Sequence, residues 1–300
     1  MAITAQQVKE LREKTGAGMM DCKKALTECN GDMEKSVDWL REKGIAKAAK
    51  KQGRIAAEGL SKVLVEGNRC CLVEVNSETD FVAKNDKFLA LLDDTAHAII
   101  EAKPADTEAA LKLSVNGELL SDAFVNAVAV IGEKITLRRF AVLEKTDDEI
   151  FGTYMHMGGT ISSAVVVKGT ADGQVAKDMA MQIASMAPSY VSRNDMPADV
   201  VEHERSIQTE LAKNDESLAN KPEKIMAGIV EGRLSKSLQD MCLVDQIYFK
   251  NQDLKCKDYL KENHAEVVTF VRYQVGEGLE KREENFAEEV AKQTAEAQMK

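Results

Sequence analysis

The residue types able to do chemistry are scattered along this chain. Four histidines, His97, His156, His203 and His264, stand apart: no pair has metal-ligand spacing, and none neighbours a serine elbow or a cysteine nucleophile motif. His156 alone sits in a special place, the segment Tyr154-Met155-His156-Met157-Gly158-Gly159, where a tight turn can offer backbone amides to an anion. A Gly-Gly turn without the Walker spacing and its Lys-Ser/Thr is a weak phosphate signal, so a hairpin-tip histidine touching a protein partner is the favoured reading. Glu74, Glu78, Asp80 and Asp86 gather in one stretch, and paired carboxylates suit acid-base catalysis. Glu74 to Asp80 cross a strand end, however, with no third group to orient them, and they read as solvated caps. Six cysteines (Cys22, Cys29, Cys70, Cys71, Cys242, Cys256) show no metal spacing. They are expected to be free and buried, with adjacent Cys70 and Cys71 on opposite faces of a strand. No bond-making site, metal site or cofactor site is expected.

One stretch is informative for another reason. In Thr79-Asp80-Phe81-Val82-Ala83-Lys84-Asn85-Asp86 a large ring stands beside a carboxylate where a strand gives way to a helix. The run Cys70 to Val75 reads as a buried strand, Asn76 to Asp80 as turn and cap formers, and Asp80 as the N-cap of a helix beginning at Phe81. A hydrophobic staple uses the residue before the cap, so Phe81 has no obvious place in the core. Two readings stay open: the ring points outward, or it folds back against the sheet, as large apolar side chains usually do.

The elements needed to position that turn follow from composition and pattern. With 300 residues and 44% hydrophobic side chains, the chain can build about two domains. Its start lacks an apolar signal core and no run approaches the ~20 apolar residues of a membrane span, so residence in the cytoplasm is expected. A formal charge of -10 argues against free nucleic acid as a partner. The charge is uneven: Lys43 to Arg54 is basic and Glu277 to Glu289 largely acidic, which fits solvated faces or charged protein partners.

Three short helices open the chain, the first capped by Thr4 and carrying Val8 and Leu11, the second carrying Met19, Cys22 and Leu26, the third Val37, Leu40 and Ile45. Trp39 reads as their core anchor, and Ala46 to Arg54 as a helical linker leaving the module. Two similar units follow. Leu60 to Val65 pairs with Leu72 to Val75 across Glu66-Gly67-Asn68, before a helix with Leu89, Leu92, Ala96 and Ile99. Ile150 to Met155 pairs with Ala164 to Val167 across Met157-Gly158-Gly159, before a helix with Met181, Ile183, Ala184 and Met186. Phe81-Val82-Ala83-Lys84 and Gln174-Val175-Ala176-Lys177 occupy matching places, so duplication is one reading of an α+β core. A helical hairpin comes next, with a stripe of Val200, Glu204, Ile207 and Leu211 in one arm and Ile225, Ile229, Val230 and Leu234 in the other. Its role is open between partner binding and bracing. Ile247-Tyr248-Phe249 is expected to be a strand, Leu254 to Asn263 a helix, and Val267 to Val275 a strand with Val267, Thr269, Val271 and Tyr273 opposite Phe270 and Arg272. A charged tail helix closes the chain.

Four motifs carry a family resemblance: Thr15-Gly16-Ala17-Gly18-Met19-Met20-Asp21-Cys22-Lys23-Lys24-Ala25-Leu26, the Thr79 to Asp86 stretch, Ile131-Gly132-Glu133 before Leu137-Arg138-Arg139, and His156 with Gly158-Gly159. Along essentially its whole length the chain resembles the translation elongation factor Ts family, the guanine-nucleotide exchange factors of elongation factor Tu. The resemblance implies a UBA-like three-helix domain (1–53), a core N-subdomain (54–145), a core C-subdomain in two parts (146–190 and 236–272), an inserted coiled-coil dimerisation hairpin (191–235) and a C-terminal helical module (273–300). It also implies that Phe81 is an exposed wedge entering the GTPase with Thr79, Asp80 and Val82, and that Asp80 disturbs the partner's magnesium so that GDP loosens. Met19, Met20, Lys23, Ile131, Gly132 and His156 would supply further partner contacts. Where the family commonly has an arginine and another glycine after Gly158-Gly159, this chain has Thr160-Ile161-Ser162-Ser163.

Overall fold

The computed structural model describes residues 3–218 and 221–280; the expected tail helix falls largely outside them. The fold is α+β. Helices α1 (Ala5–Thr15), α2 (Met19–Glu28) and α3 (Met33–Lys51) come first. The first unit comprises β1 (Glu58–Glu66), β2 (Arg69–Ser77), a 3-10 turn (Val82–Lys84), α4 (Asp86–Ala102), α5 (Thr107–Leu111), the short β3 (Ser114–Val115) and β4 (Glu118–Leu119), α6 (Leu120–Ile131) and β5 (Thr136–Glu144). The second comprises β6 (Glu149–His156), β7 (Ile161–Lys168), α7 (Gly173–Met186), the hairpin helices α8 (Ala198–Lys213) and α9 (Glu223–Met241), α10 (Cys256–Glu262) and β8 (Glu266–Gln274).

Each unit holds a three-stranded antiparallel sheet with its second strand central, in the orders β1-β2-β5 and β6-β7-β8. The strand alternation splits the apolar residues into layers. Cys71, Val73 and Val75 face outward under α4 and α6, with Phe88, Leu92, Ile99 and Val128. Val165 and Val167 do the same under α7, with Met179 and Ile183. The inner faces meet each other through Cys70, Leu72, Ala164 and Tyr273. Cys70 and Cys71 therefore do lie on opposite faces, and burial pushes both thiols up to about 12. At one edge of the sandwich the Ser61 hydroxyl donates to Gly159 O at 2.7 Å and its oxygen lies 2.7 Å from Ser162 Oγ, whose hydroxyl it can accept. Gly159 has φ +114, and a Cβ there would stand 2.4 Å from Ser61 O, so this close approach requires glycine.

Several expectations change for identifiable reasons. The third helix continues through most of the basic stretch to Lys51, and Ala48 packs against the first unit's core, so Ala46 to Arg54 is a docked helix end and not a free linker. Trp39 is half-buried, packed on the helical core with the Lys43 ammonium over its ring. Asp80 caps nothing: Phe81 precedes a 3-10 turn, and α4 starts later with Asn85 as its N-cap.

Glu74 is fully buried and is no solvated cap. It accepts from Arg138 Nη1 at 2.8 Å, Arg139 Nε at 2.6 Å and the Gly276 amide at 2.9 Å. A bulge in β5 opposite Glu74 and Val75 permits this, because an extra residue breaks the alternation that would send consecutive arginines to opposite faces.

Ile247-Tyr248-Phe249 forms no strand; β8 fills the third place in the sheet, Tyr248 and Phe249 pack in the cluster with α7 instead, and Ile247 is exposed. There the buried Asp178 accepts from Tyr248, Tyr259, Gln174 and Lys250. Burial pushes its carboxyl up, but Lys250 and the other donors outweigh this and hold it low. A bulge between Val166 and Val167 moves Val267 onto the helix-side face with Phe270, leaving Val271 and Tyr273 between the sheets. In the hairpin the row of α8 facing α9 keeps Glu204 of the expected stripe but runs through Val201, Arg205 and Ala212 in place of Ile207 and Leu211. Ala212 is buried, Val201 packs with Leu234 and Leu238, Arg205 pairs with Glu231, and Glu204 accepts from Ser237. Ile207, Leu211 and Ile225 are left exposed.

Candidate functional site

The site begins where β2 ends. Buried Val75 and Asn76 lead into a turn whose base is fixed by Ser77 Oγ, which donates to Thr79 O at 2.9 Å, while Lys84 N closes back on Phe81 O at 3.1 Å. Val82 and Ala83 face inward, Val82 within the core under α4. Between these anchors Phe81 is 78% exposed. Asp80 beside it is also exposed, and its carboxylate takes no hydrogen bond or ion pair from the other described residues. The inward reading of the ring is therefore corrected: burying Val82 and Ala83 in the 3-10 turn leaves Phe81 on the outer side. Val82, expected among the contact residues, is an anchor of the turn.

The other expected site residues fall on three further segments: the start of α2, the end of α6 and the end of β6. Lys87, in the first turn of α4, donates to Gly16 O at 3.3 Å and ties the Gly16-Ala17-Gly18 turn to the start of that helix. Met19 and Met20 follow it, 58% and 73% exposed, and Lys23 is exposed one turn on. Ile131, half-buried, ends α6; Gly132 is exposed with φ +91, the left-handed cap that reverses the chain toward Thr79. His156 is more distant in sequence, at the exposed end of β6, where Tyr154 Oη and His156 Nδ1 lie 3.1 Å apart. A shallow groove lined by Leu60, Leu89, Met155 and Gly158 runs between that hairpin and α4. The departure at Thr160 to Ser163 is structural in part: Ser162 meets Ser61 between the sheets, and Ser163 donates to Ala180 O at 2.7 Å.

Sequence reasoning missed the residues that hold these segments together. Glu133 and Glu78 support the turn from below, and Ser61 ties the second hairpin to β1. Glu133 stood inside a recognised motif; Ser61 carried no local signal.

Exposed thioethers should serve contact and not core. The double variant Met19→Ala/Met20→Ala is expected to keep the wild-type melting temperature and helical circular dichroism, yet to bind a partner about threefold to tenfold more weakly. A melting temperature well below wild type would return both side chains to the core.

An exposed ring, an exposed carboxylate and two exposed thioethers are side chains suited to contact with a protein partner. Among the described residues no group of three His, Cys, Asp or Glu side chains is placed to hold a metal ion, and no helix is long and apolar enough to cross a membrane. The family model for elongation factor Ts matches residues 78–277, more than half of the chain and starting just before Asp80 and Phe81; the chain belongs to that family. Its members bind elongation factor Tu and act as its nucleotide exchange factors in translation elongation; they are not catalysts of bond making or breaking.

Proposed function

We propose that this chain opens the nucleotide site of elongation factor Tu with the Asp80-Phe81 turn. Phe81 wedges between helices of the GTPase domain, and Asp80, brought in beside it, disturbs the environment of the bound magnesium ion. That ion compensates the charge of the nucleotide phosphates, so its loss weakens GDP. The single observation supporting this reading is the exposure of Phe81, 78%, on a turn anchored at both ends. Coupling is reciprocal: a factor that prefers the empty GTPase weakens nucleotide by the same ratio, and nucleotide in turn expels the factor. Met19, Met20, Lys23, Ile131, Gly132 and His156 extend the grip. Thr79 and Val82 support the wedge from behind.

The domain reading goes with it: a UBA-like module over 1–53, core subdomains over 54–145 and over 146–190 with 236–272, and a C-terminal module over 273–300. The hairpin of 191–235 is the self-association element, supported by the exposed Ile207, Leu211 and Ile225. The test is stopped-flow release of fluorescent GDP from elongation factor Tu with and without the protein. Acceleration that high free magnesium opposes is expected; no acceleration would refute the reading.

Replacing Ser192 to Ser235 with a short Gly-Ser link is expected to leave GDP release within about twofold of wild type while self-association falls, because the hairpin meets the body at its own base, through Arg193–Asp245 and Met196 on Cys242, in a different unit from the Phe81 turn. Light scattering beside the release assay checks this. A monomeric wild type would remove the dimerisation role.

A further inference from the structure

The motif Ile131-Gly132-Glu133 ends in a side chain that does not face outward. Glu133 is half-buried and aimed into the base of the Thr79–Phe81 turn. Its Oε2 accepts from the Thr79 amide at 2.9 Å and its Oε1 from the Thr79 hydroxyl at 2.7 Å. The neighbouring residues return the arrangement, since the Lys134 amide donates to Glu78 Oε1 at 2.6 Å. Each of two adjacent segments thus caps the other's backbone with a carboxylate, and hydrogen bonds to a charged acceptor are the stronger kind.

The same clasp reaches the helical module. Lys134 Nζ donates to Gln52 O at 2.7 Å and Arg54 O at 2.8 Å, just past the end of α3. Arg54 Nη1 lies 3.2 Å from Glu78 Oε2, and Lys51 donates to Gly132 O. The turn bearing Asp80 and Phe81 is therefore supported by the loop after α6, which is in turn supported by α3.

We propose that Glu133 is a positioning residue for nucleotide exchange. It holds the Thr79–Phe81 turn in the geometry in which ring and carboxylate enter the partner together, and through Lys134 and Glu78 it makes that geometry depend on how α3 is seated. The inference rests on the wedge reading of Phe81. Its physical content is preorganisation: a turn ordered before contact loses less freedom on binding, so more of the contact energy goes into opening the nucleotide site.

The experiment uses the full chain with Glu133→Ala, measuring GDP release from elongation factor Tu across factor concentration, and amide hydrogen exchange at Thr79 in the free protein. The variant is expected to lower the maximal release rate about tenfold and to speed Thr79 amide exchange by at least about tenfold. In a Phe81→Ala background the same substitution should cost less than about twofold more, because both residues act through one turn. Normal release despite fast Thr79 exchange, or equal fold-losses in both backgrounds, would overturn the proposal. Should Glu133→Ala unfold the chain, Thr79→Val removes only the hydroxyl bond. It is expected to lower release about threefold, and unchanged release in a folded Thr79→Val protein overturns the positioning role. A wild type that leaves GDP release unchanged overturns the wedge reading and this inference together. An active wild type matched by Glu133→Ala overturns this inference alone.

Discussion

Phe81→Ala is expected to lower stimulated GDP release from elongation factor Tu about thirtyfold without unfolding the chain. An aromatic anchor at the centre of a contact is worth about 2 kcal/mol or more, and that energy, placed on the open state, sets the rate. The ring is 78% exposed, so its removal opens no cavity. Release by stopped flow and melting by circular dichroism are the two measurements. A folded variant with normal release would refute the wedge and favour a different class, a non-catalytic ubiquitin-like binding or holdase protein built on the helical module with no effect on nucleotide. That rival expects a buried Phe81, contrary to its exposure.

The second large effect concerns stability. Glu74→Ala is expected to destabilise the protein by about 3–5 kcal/mol, because it leaves Arg138 and Arg139 aimed into a site with no negative charge. Burial pushes the Glu74 carboxyl up, but the Gly276 amide and the two guanidiniums outweigh it, so in the folded chain it ionises below its ordinary value. A depressed folded pKa contributes stability that is fully present above the unfolded value, about 4.3, and is lost as pH falls through the folded one. The difference in unfolding free energy between wild type and Glu74→Gln, from denaturant titrations, should therefore be constant near neutrality and shrink below about pH 4. A difference independent of pH would mean that Glu74 is not held ionised by its arginines. Because the Gly276 amide joins β2 and β5 to the turn after β8, loss of Glu74 should also loosen one unit from the other.

What could be read before any coordinates was whatever short-range physics decides. Thr4 as a cap follows from a hydroxyl followed three residues later by Gln7, and the structure forms that capping box. The β1-β2 and β6-β7 hairpins follow from glycine-bearing turns between apolar runs. The opposite facing of Cys70 and Cys71 is simple strand alternation. The stretch Thr79 to Asp86 was conspicuous because an apolar ring sat where local capping left it no partner.

Contacts between distant segments decided the rest. Local sequence could not choose between an exposed and a buried Phe81; burial of Ala83 and of Val82, the latter in the core under α4, did. Alternation placed Val267 with Tyr273, and a bulge moved it, because one extra residue inverts every side chain beyond it. The hairpin stripe took in Ile207 and Leu211, which are exposed, and left out Arg205, which pairs with Glu231 of α9, and the small buried Ala212; hydropathy marks neither. Glu74 reads as one more surface acid, and its ionised burial depends on Arg138, Arg139 and Gly276 arriving from β5 and from beyond β8. The sequence by itself determined where strands, caps and turns begin and that one ring lacked a local partner. Only the tertiary structure decided which side chains that ring and the buried charges would meet, because those partners are brought together by packing across the whole fold.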